Sequence, residues 1–422
     1  MSVATDAEHQ TYKRRAVISA SLGWGLDGFT WTMYGFALTA ALPVLNMTNA
    51  DAGWVTALSV AASALGGVIF GNLADRYGRV RVLTWVIIGY SVFTGLTATA
   101  QDMFQFMMWR ILEGMTFGGE WAVGAALVAE YSTPKYRGRL LAFIQSTYAI
   151  GWAASTAAYL VVFSLLEPEI AWRILFVIGI LPAFFAIWIR RNAKDAVTLA
   201  ENPKQQESFR NRWSKLFTGA QAKRTIFATV LGVGVQGVYY SVFVFLPTYL
   251  RDERGLSIVG TASYTWVAIV GSFIGYVSSG FFLDWWGRRR TFLFFFIGSA
   301  ASVSLFVLTP VAQNALDVLI ILVLGFFASG QAGGTGAYLS ELFPTAIRGT
   351  GQAFSYNFGR ALAAFGPLTV GLMAESIGLG SAIMTIAIIG AVIGITALVF
   401  LPETKDSVIV DSSEEEKSVT TP

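Results

Sequence analysis

The sequence predicts an all-α membrane protein of twelve transmembrane helices, arranged as two pseudo-symmetric six-helix halves. Three observations lead there: the apolar composition, the recurrence of apolar runs of membrane-spanning length, and a repeat of charged landmarks along the chain. Of the 422 residues, 55% are hydrophobic and 13% are charged, against about 25% charged in a typical soluble domain. A chain this apolar would expose more hydrophobic surface than water tolerates. Lipid as the outer solvent removes the difficulty.

Apolar runs of about 20 residues fall near 17–45, 51–74, 81–100, 103–130, 140–165 and 171–190. After a polar stretch they resume near 225–250, 257–283, 291–310, 315–343, 351–375 and 380–401. The polar residues 1–16 lead into an apolar stretch too long for a signal-peptide core, which reads as a retained first span. The chain thus divides into a tail (1–16), a six-helix bundle (17–190), a polar linker (191–224), a second six-helix bundle (225–403) and an acidic tail (404–422). The linker reads either as a solvated connection or as carrying an amphipathic helix around Phe209 to Phe217, held to anionic lipid by its basic face.

Placing the amino terminus in the cytoplasm puts every Lys and Arg in cytoplasmic segments except Arg110, Arg173, Arg251, Arg254 and Arg360. That asymmetry sets the orientation, with both termini cytoplasmic. The expected location is the plasma membrane, a bacterial inner membrane.

Several chemistries are excluded. Cysteine is absent, and the single histidine, His9, lies in the polar tail. Disulfides, thiol nucleophiles, Cys/His metal sites and a Ser-His-Asp triad therefore have no residues to use. The run Gly330–Gly336 resembles a nucleotide-binding loop only superficially. It lies inside an apolar span with no preceding strand, and close helix packing explains it better. No enzyme, cofactor, metal or nucleic-acid function is expected, and the bilayer and a small molecule are the expected partners of a monomer.

The internal repeat is visible residue by residue. Gly71-Asn-Leu-Ala-Asp75-Arg-Tyr-Gly78-Arg79 closes span 2, and Gly280-Phe-Phe-Leu-Asp284-Trp-Trp-Gly287-Arg288 closes span 8. Glu130 is followed by Arg137, and Glu341 by Arg348, at the same spacing. Gly at a helix end permits a tight reversal. Asp and Arg at a water boundary form pairs of modest energy, suited to a contact that opens in every cycle.

These paired G-x-x-x-D-x-x-G-R loops resemble the signature of the major facilitator superfamily. The E-x6-R stretches, Arg110-Ile-Leu-Glu-Gly114 and Pro402-Glu-Thr-Lys405 resemble its sugar-porter and metabolite:proton symporter branches. Trp24-Gly-Leu-Asp27-Gly-Phe29 and Gly118-Gly-Glu-Trp121 resemble organic-acid members, including sialic-acid and aromatic-acid symporters. The resemblance implies alternating access between two rocking halves. It also implies a cytoplasmic gate network of Asp75, Arg79, Glu130, Arg137, Asp284, Arg288, Glu341 and Arg348. Thr30 stands where aromatic-acid symporters carry a second Asp. A lone Gln236 and Gly330-Gln-Ala-Gly-Gly replace sugar-porter motifs. An organic anion is therefore favoured over a sugar.

An ionisable residue at mid-membrane is costly and functional by default. Asp27 shares a helical face with Trp24, Trp31 and Tyr34. Arg110, Glu113 and Glu120 lie together in span 4 and join Asp27 as candidate proton-coupling residues, bracing of the helix being the other reading of Glu120. Resemblance to proton-coupled sugar porters pairs Asp27 with Arg110. Desolvation favours a neutral carboxyl and a nearby arginine a charged one, so separating the two would capture and release a proton. A static buried pair that fixes packing is the alternative. Arg360 offers a planar fork that matches a carboxylate, with Asn357 nearly on its face. Gln145, Tyr148, Gln236, Tyr239, Tyr240 and Gln331 join Trp31, Tyr34, Asn357 and Arg360 as candidate substrate contacts, interhelical hydrogen bonding being the other reading. The expected function is proton-coupled uptake of a small organic anion. Sugar or polyol symport, uniport, drug:proton antiport and a transporter-derived sensor are the alternatives.

Overall fold

The computed structural model describes residues 6–131, 137–185, 209–310, 315–344 and 347–405. In the first half it forms α1 (Asp6–Val44), α2 (Asn49–Tyr77), α3 (Arg79–Thr97), α4 (Met103–Tyr131), α5 (Arg137–Leu165) and α6 (Pro168–Ile178). A short α7 (Phe209–Leu216) precedes the second half. There follow α8 (Gly219–Phe243), α9 (Ile258–Trp286), α10 (Arg288–Leu308), α11 (Ala315–Glu341), α12 (Arg348–Ala363), α13 (Phe365–Ile377) and α14 (Leu379–Phe400).

Nine stretches among the described residues are long and apolar enough to cross a membrane. The three expected spans that fall short are the ones carrying polar groups. Asp27 lies in α1, Arg110, Glu113 and Glu120 lie in α4, and Asn357 and Arg360 lie in the span divided into α12 and α13. That division follows from Pro367, which lacks an amide proton and crowds the carbonyl of Ala363 one turn back. Span 7 is likewise not one helix: α8 ends at Phe243, and a helical turn Leu246–Thr248 and a π-helical turn Tyr249–Glu253 complete it. The bundle is apolar outside as well as within. Trp285 is 70% exposed, Leu308 71% and Val399 65%. In water each such leucine would forgo about 2 kcal/mol of burial; against acyl chains it forgoes little.

The repeat seen in residues recurs in packing. Helices α2 and α4 pack along their lengths, as do α9 and α11; α1 packs on α5 as α8 does on α12. Both tight pairs depend on glycine. A Cβ on Gly118 would overlap the Ser63 carbonyl, and one on Gly271 the Leu322 carbonyl, so helix backbones approach where small residues allow it. The two signature loops reverse at Gly78 (φ 93°) and Gly287 (φ 89°), a backbone region that L side chains avoid.

Of the two readings of the linker, the helical one is found: α7 exists, but it docks on protein. Its Leu216 is buried, and Trp213 and Phe217 each stack edge-on against Phe354 of α12 at 5.3 Å. Residues 191–208 of the linker and the tail beyond Lys405 lie outside the described residues.

Alternation of the helices places the start of α1 and the end of α14 at one face, the terminal face, opposite a far face. The two halves meet through α2 against α12 and α13, and α5 against α9. At the far face they touch backbone to backbone. A Cβ on Gly53 would lie 2.9 Å from Leu368 Cα, one on Gly35 would lie 3.0 Å from the Val244 carbonyl, and one on Gly371 would overlap the Asn49 carbonyl. The far-face arginines also have structural partners. Arg173 donates to Ala98 O and Ala100 O at the end of α3, and Arg254 to Phe306 O, Val307 O and Thr309 O at the end of α10. Each supplies a cation where the helix dipole favours one. Gly371→Leu is expected to hold the far face apart, lowering transport about tenfold or more while ligand affinity changes by about twofold or less. Flux and equilibrium binding measured on the same preparation check this.

Candidate translocation site

Between the halves, side chains of α1, α4, α5, α8, α9, α11 and α12 converge on a small cavity. Trp24, Phe117, Gln145, Tyr148, Gln236 and Tyr240 line one part of its wall, and Tyr239, Tyr276, Thr335, Tyr356 and Arg360 the rest. Its volume is about 30 Å³, the share of a single water molecule. An organic acid therefore enters only if the halves separate.

The helical face expected of α1 is the buried one: Trp24, Asp27, Trp31 and Tyr34 are all under 6% exposed. Trp24 packs on Tyr148 at 5.8 Å, and Trp31 on Phe117 at 5.6 Å and Tyr240 at 5.4 Å. Trp31 and Tyr34 support the site without lining the cavity. Thr30, which stands in place of a second acid, bonds back to Leu26 O and Asp27 O of its own helix.

Asp27 is fully buried, and neither carboxyl oxygen meets hydrogen-bond geometry with any donor. Its carboxyl neighbour is Glu120, and the charge of Arg360 also acts on it. Glu120 reaches this position because Gly23, one turn before Asp27, has no side chain. A Cβ there would overlap Glu120 Oε1. The expected Asp27–Arg110 pair is not formed. Arg110 Nη1 lies 3.4 Å from Glu113 Oε2, and its guanidinium sits over Tyr34 at 4.4 Å and Trp31 at 5.9 Å. Helix register is the reason. α1 and α4 run antiparallel with Gly23 level with Glu120 and Tyr34 level with Arg110. Seven residues separate Asp27 from Tyr34, about 10 Å along the axis.

Arg360 is 3% exposed and lies over the face of Phe117 at 4.4 Å. Tyr240, Tyr356, Asp27 and Tyr148 surround it, and its Nε and Nη1 are buried without hydrogen-bond partners. Among candidate contacts from the sequence, Gln145, Tyr148, Gln236, Tyr239, Tyr240 and Arg360 line the cavity. Gln331 does not: it donates to Ala328 O of its own helix at 3.2 Å, and Ala332 and Thr335 line the wall instead. Asn357 also turns away, donating to Ala353 O at 3.0 Å and facing Gly67 on α2. Tyr276 and Phe117 are not among the residues picked out by the sequence, because an aromatic in an apolar span carries no mark of which way it faces. Both are buried in the structure.

The gate network is described in its second half. Arg288 grips Glu341 through two bonds of 2.8 and 2.7 Å, and donates to Leu283 O at 3.1 Å. Asp284, exposed on the last turn of α9, adds to the field on Arg288, and Arg348 opens α12. The side chains of Asp75, Arg79, Glu130 and Arg137 lie outside the described residues. The terminal motif, noted only as a resemblance, supplies the missing partners. Pro402 O accepts from Tyr338 at 2.7 Å, and Thr404 donates to Glu341 at 2.5 Å. Lys405 donates to Trp285 O at 2.9 Å, closing the end of α9. Glu403 accepts from the amides of Arg288, Arg289, Thr404 and Lys405, filling the amino-terminal end of α10 with the anion its dipole favours.

Residues 20–333 and 280–421 match the family model described as the Major Facilitator Superfamily. The chain belongs to that superfamily. A probable 4-methylmuconolactone transporter of Cupriavidus pinatubonensis is 34% identical over 392 residues, covering 93% of this chain and 91% of the relative. The cis,cis-muconate transport protein of Acinetobacter baylyi is 30% identical, covering 92% and 94%. A sialic acid transporter of Escherichia coli is 26% identical, covering 89% and 91%. A solved D-xylose-proton symporter shares the fold with a TM-score of 0.76 at 18% identity, over 94% of this chain and 100% of that one. This member of the superfamily is accordingly a multi-pass membrane transporter and not an enzyme.

Burial pushes the Glu403 carboxyl up, but its four backbone donors outweigh that and hold it below the usual glutamate range. Its contribution to stability is thus present above the ordinary value of about 4.3 and lost as the pH falls through the lowered one. The melting temperature is expected to drop between neutral pH and pH about 3 in the wild-type protein, with that part of the drop missing in Glu403→Gln.

Proposed function

We propose that this transporter couples uptake of a small organic anion to protons, with Asp27 and Glu120 carrying the proton and Arg360 binding the anion. The observation that carries the reading is the juxtaposition of two buried carboxyls with one buried guanidinium beside a tyrosine- and glutamine-lined cavity. A substrate carboxylate matches the free donors of Arg360 in a bidentate geometry, and the tyrosine hydroxyls and the two glutamines orient the rest of it. When the anion takes Arg360, Asp27 loses the cation whose charge acts on it. Two facing carboxyls in a dry site then hold a proton between them, so anion and proton load together. Rocking of the halves about the cavity delivers both to the other side.

Relatives named for muconate, 4-methylmuconolactone and sialic acid support a carboxylate of this kind, such as an aromatic acid, a monocarboxylate or sialic acid. The positive-inside bias supports cytoplasmic termini, a terminal face turned inward and a far face turned outward in a bacterial inner membrane. Arg110 and Glu113, paired near the far face, form a second buried charge site that positions α4 and Tyr34. A sugar or polyol symporter remains a second reading, favoured by Gln145 and Gln236, whose amides would bind hydroxyl groups.

Proteoliposomes given a panel of aromatic acids, monocarboxylates, sialic acid and sugars separate the readings. External alkalinisation is expected with one acid and none with sugars, rising as external pH falls. Alkalinisation with a sugar alone assigns the cavity to hydroxyl recognition. Asp27→Asn is expected to abolish uphill accumulation while sparing exchange. Arg360→Gln is expected to weaken an anion by about tenfold to a hundredfold, the usual worth of a lost charged hydrogen bond.

A further inference from the structure

The first turn of α10 carries three arginines, at the helix end whose dipole disfavours cations. Arg288 is engaged by Glu341, and Glu403 takes the backbone amides of Arg288 and Arg289. The guanidiniums of Arg289 and Arg290 have no ion-pair partner among the described residues, and both are exposed. Arg289 and Arg290 border a largely apolar, open cavity of about 420 Å³ between α10 and α14, on the outside of the bundle and away from the central site. Trp286 closes one side, and Leu293, Leu398 and Val399 form an apolar wall. Leu293 is 40% and Val399 65% exposed, so this wall faces the acyl chains. Leu293 lies three and four residues beyond the two arginines, about 5 to 6 Å deeper along the helix. The cavity therefore presents cations at the level of lipid headgroups and hydrocarbon directly beneath them, with an aromatic ring at the boundary where such rings settle.

We propose that this cavity is a binding site for one anionic phospholipid. Its phosphodiester lies between Arg289 and Arg290, and the upper part of an acyl chain lies along Leu293, Leu398 and Val399. Charge complementarity selects this occupant. A zwitterionic headgroup would bring an ammonium to the two guanidiniums, whereas free phosphate would leave the apolar wall unused. Glu403 shares the cavity, but four amides already hold its carboxylate, so it limits the net positive charge without neutralising both arginines. A lipid held here bridges α10 and α14 immediately beside the Arg288–Glu341–Thr404 contacts.

Native mass spectrometry of the purified full-length protein, with phosphatidylglycerol and phosphatidylcholine in equal amounts, tests the site. The wild-type protein is expected to retain one phosphatidylglycerol that phosphatidylcholine does not displace. In Arg289→Gln/Arg290→Gln that retention is expected to fall about tenfold or more, and in the corresponding double lysine variant to persist, because each basic residue near an anionic headgroup adds appreciably to binding. A second measurement uses brominated lipids to quench tryptophan fluorescence. Brominated phosphatidylglycerol is expected to quench the wild-type protein more than Trp286→Phe, and brominated phosphatidylcholine to quench both alike. Equal retention of the two lipids, a preference that survives the double glutamine variant, displacement by inorganic phosphate, or quenching indifferent to Trp286 would each overturn the proposal.

Discussion

Five ionisable side chains, Asp27, Arg110, Glu113, Glu120 and Arg360, are buried at the centre of a bundle whose outer surface is built for hydrocarbon. Placing an isolated charge there costs several kcal/mol after relaxation, and the rest of the structure can be read as the response to that cost. Arg110 is held by Glu113 and by the faces of Tyr34 and Trp31. Arg360 is held by the face of Phe117 and a ring of tyrosines. Asp27 and Glu120 have each other, and the charge of Arg360 acts on Asp27. They are the two groups in this set whose charge is least compensated by fixed partners, which makes them the ones whose state depends on what enters the cavity.

Close packing makes that arrangement possible. Gly23 admits the Glu120 side chain, Gly118 lets α4 lie directly on α2, and Gly53 and Gly371 let the halves seal at the far face. Within the second half the contacts are of a different kind. At the terminal face Arg288, Glu341, Glu403 and Thr404 form charged and hydrogen-bonded links at a water boundary, each of modest energy.

Much of this was readable from the residues. Apolar run length indicated the helical bundle, and the paired Gly-Asp-Gly-Arg loops indicated the twofold repeat, because hydropathy and positive-φ glycines are local properties. The buried face of α1 and the placement of Arg360 also followed from spacing alone. What failed depended on how helices meet. Asp27 faces Glu120 instead of Arg110 because glycine contacts set the register of α1 on α4, and no spacing within either helix reports it. Gln331 and Asn357 were assigned to the lumen from their polarity, yet each bonds to its own helix. Glu403 and Thr404 became visible as partners of Arg288 and Glu341 only once the chain end was seen to fold back.

The central claim is that anion binding and proton binding occur at one site, through the Asp27–Glu120 carboxyl pair and Arg360. The direct measurement is the number of protons taken up when substrate binds the detergent-solubilised protein, with no membrane and no gradient, read as a pH change in weakly buffered solution. The account expects about one proton per bound anion in the wild-type protein, as a carboxyl pair sharing a single proton requires. It expects none in Asp27→Asn at unchanged occupancy. Binding with no proton uptake in the wild-type protein, or uptake that persists in both Asp27→Asn and Glu120→Gln, would contradict it.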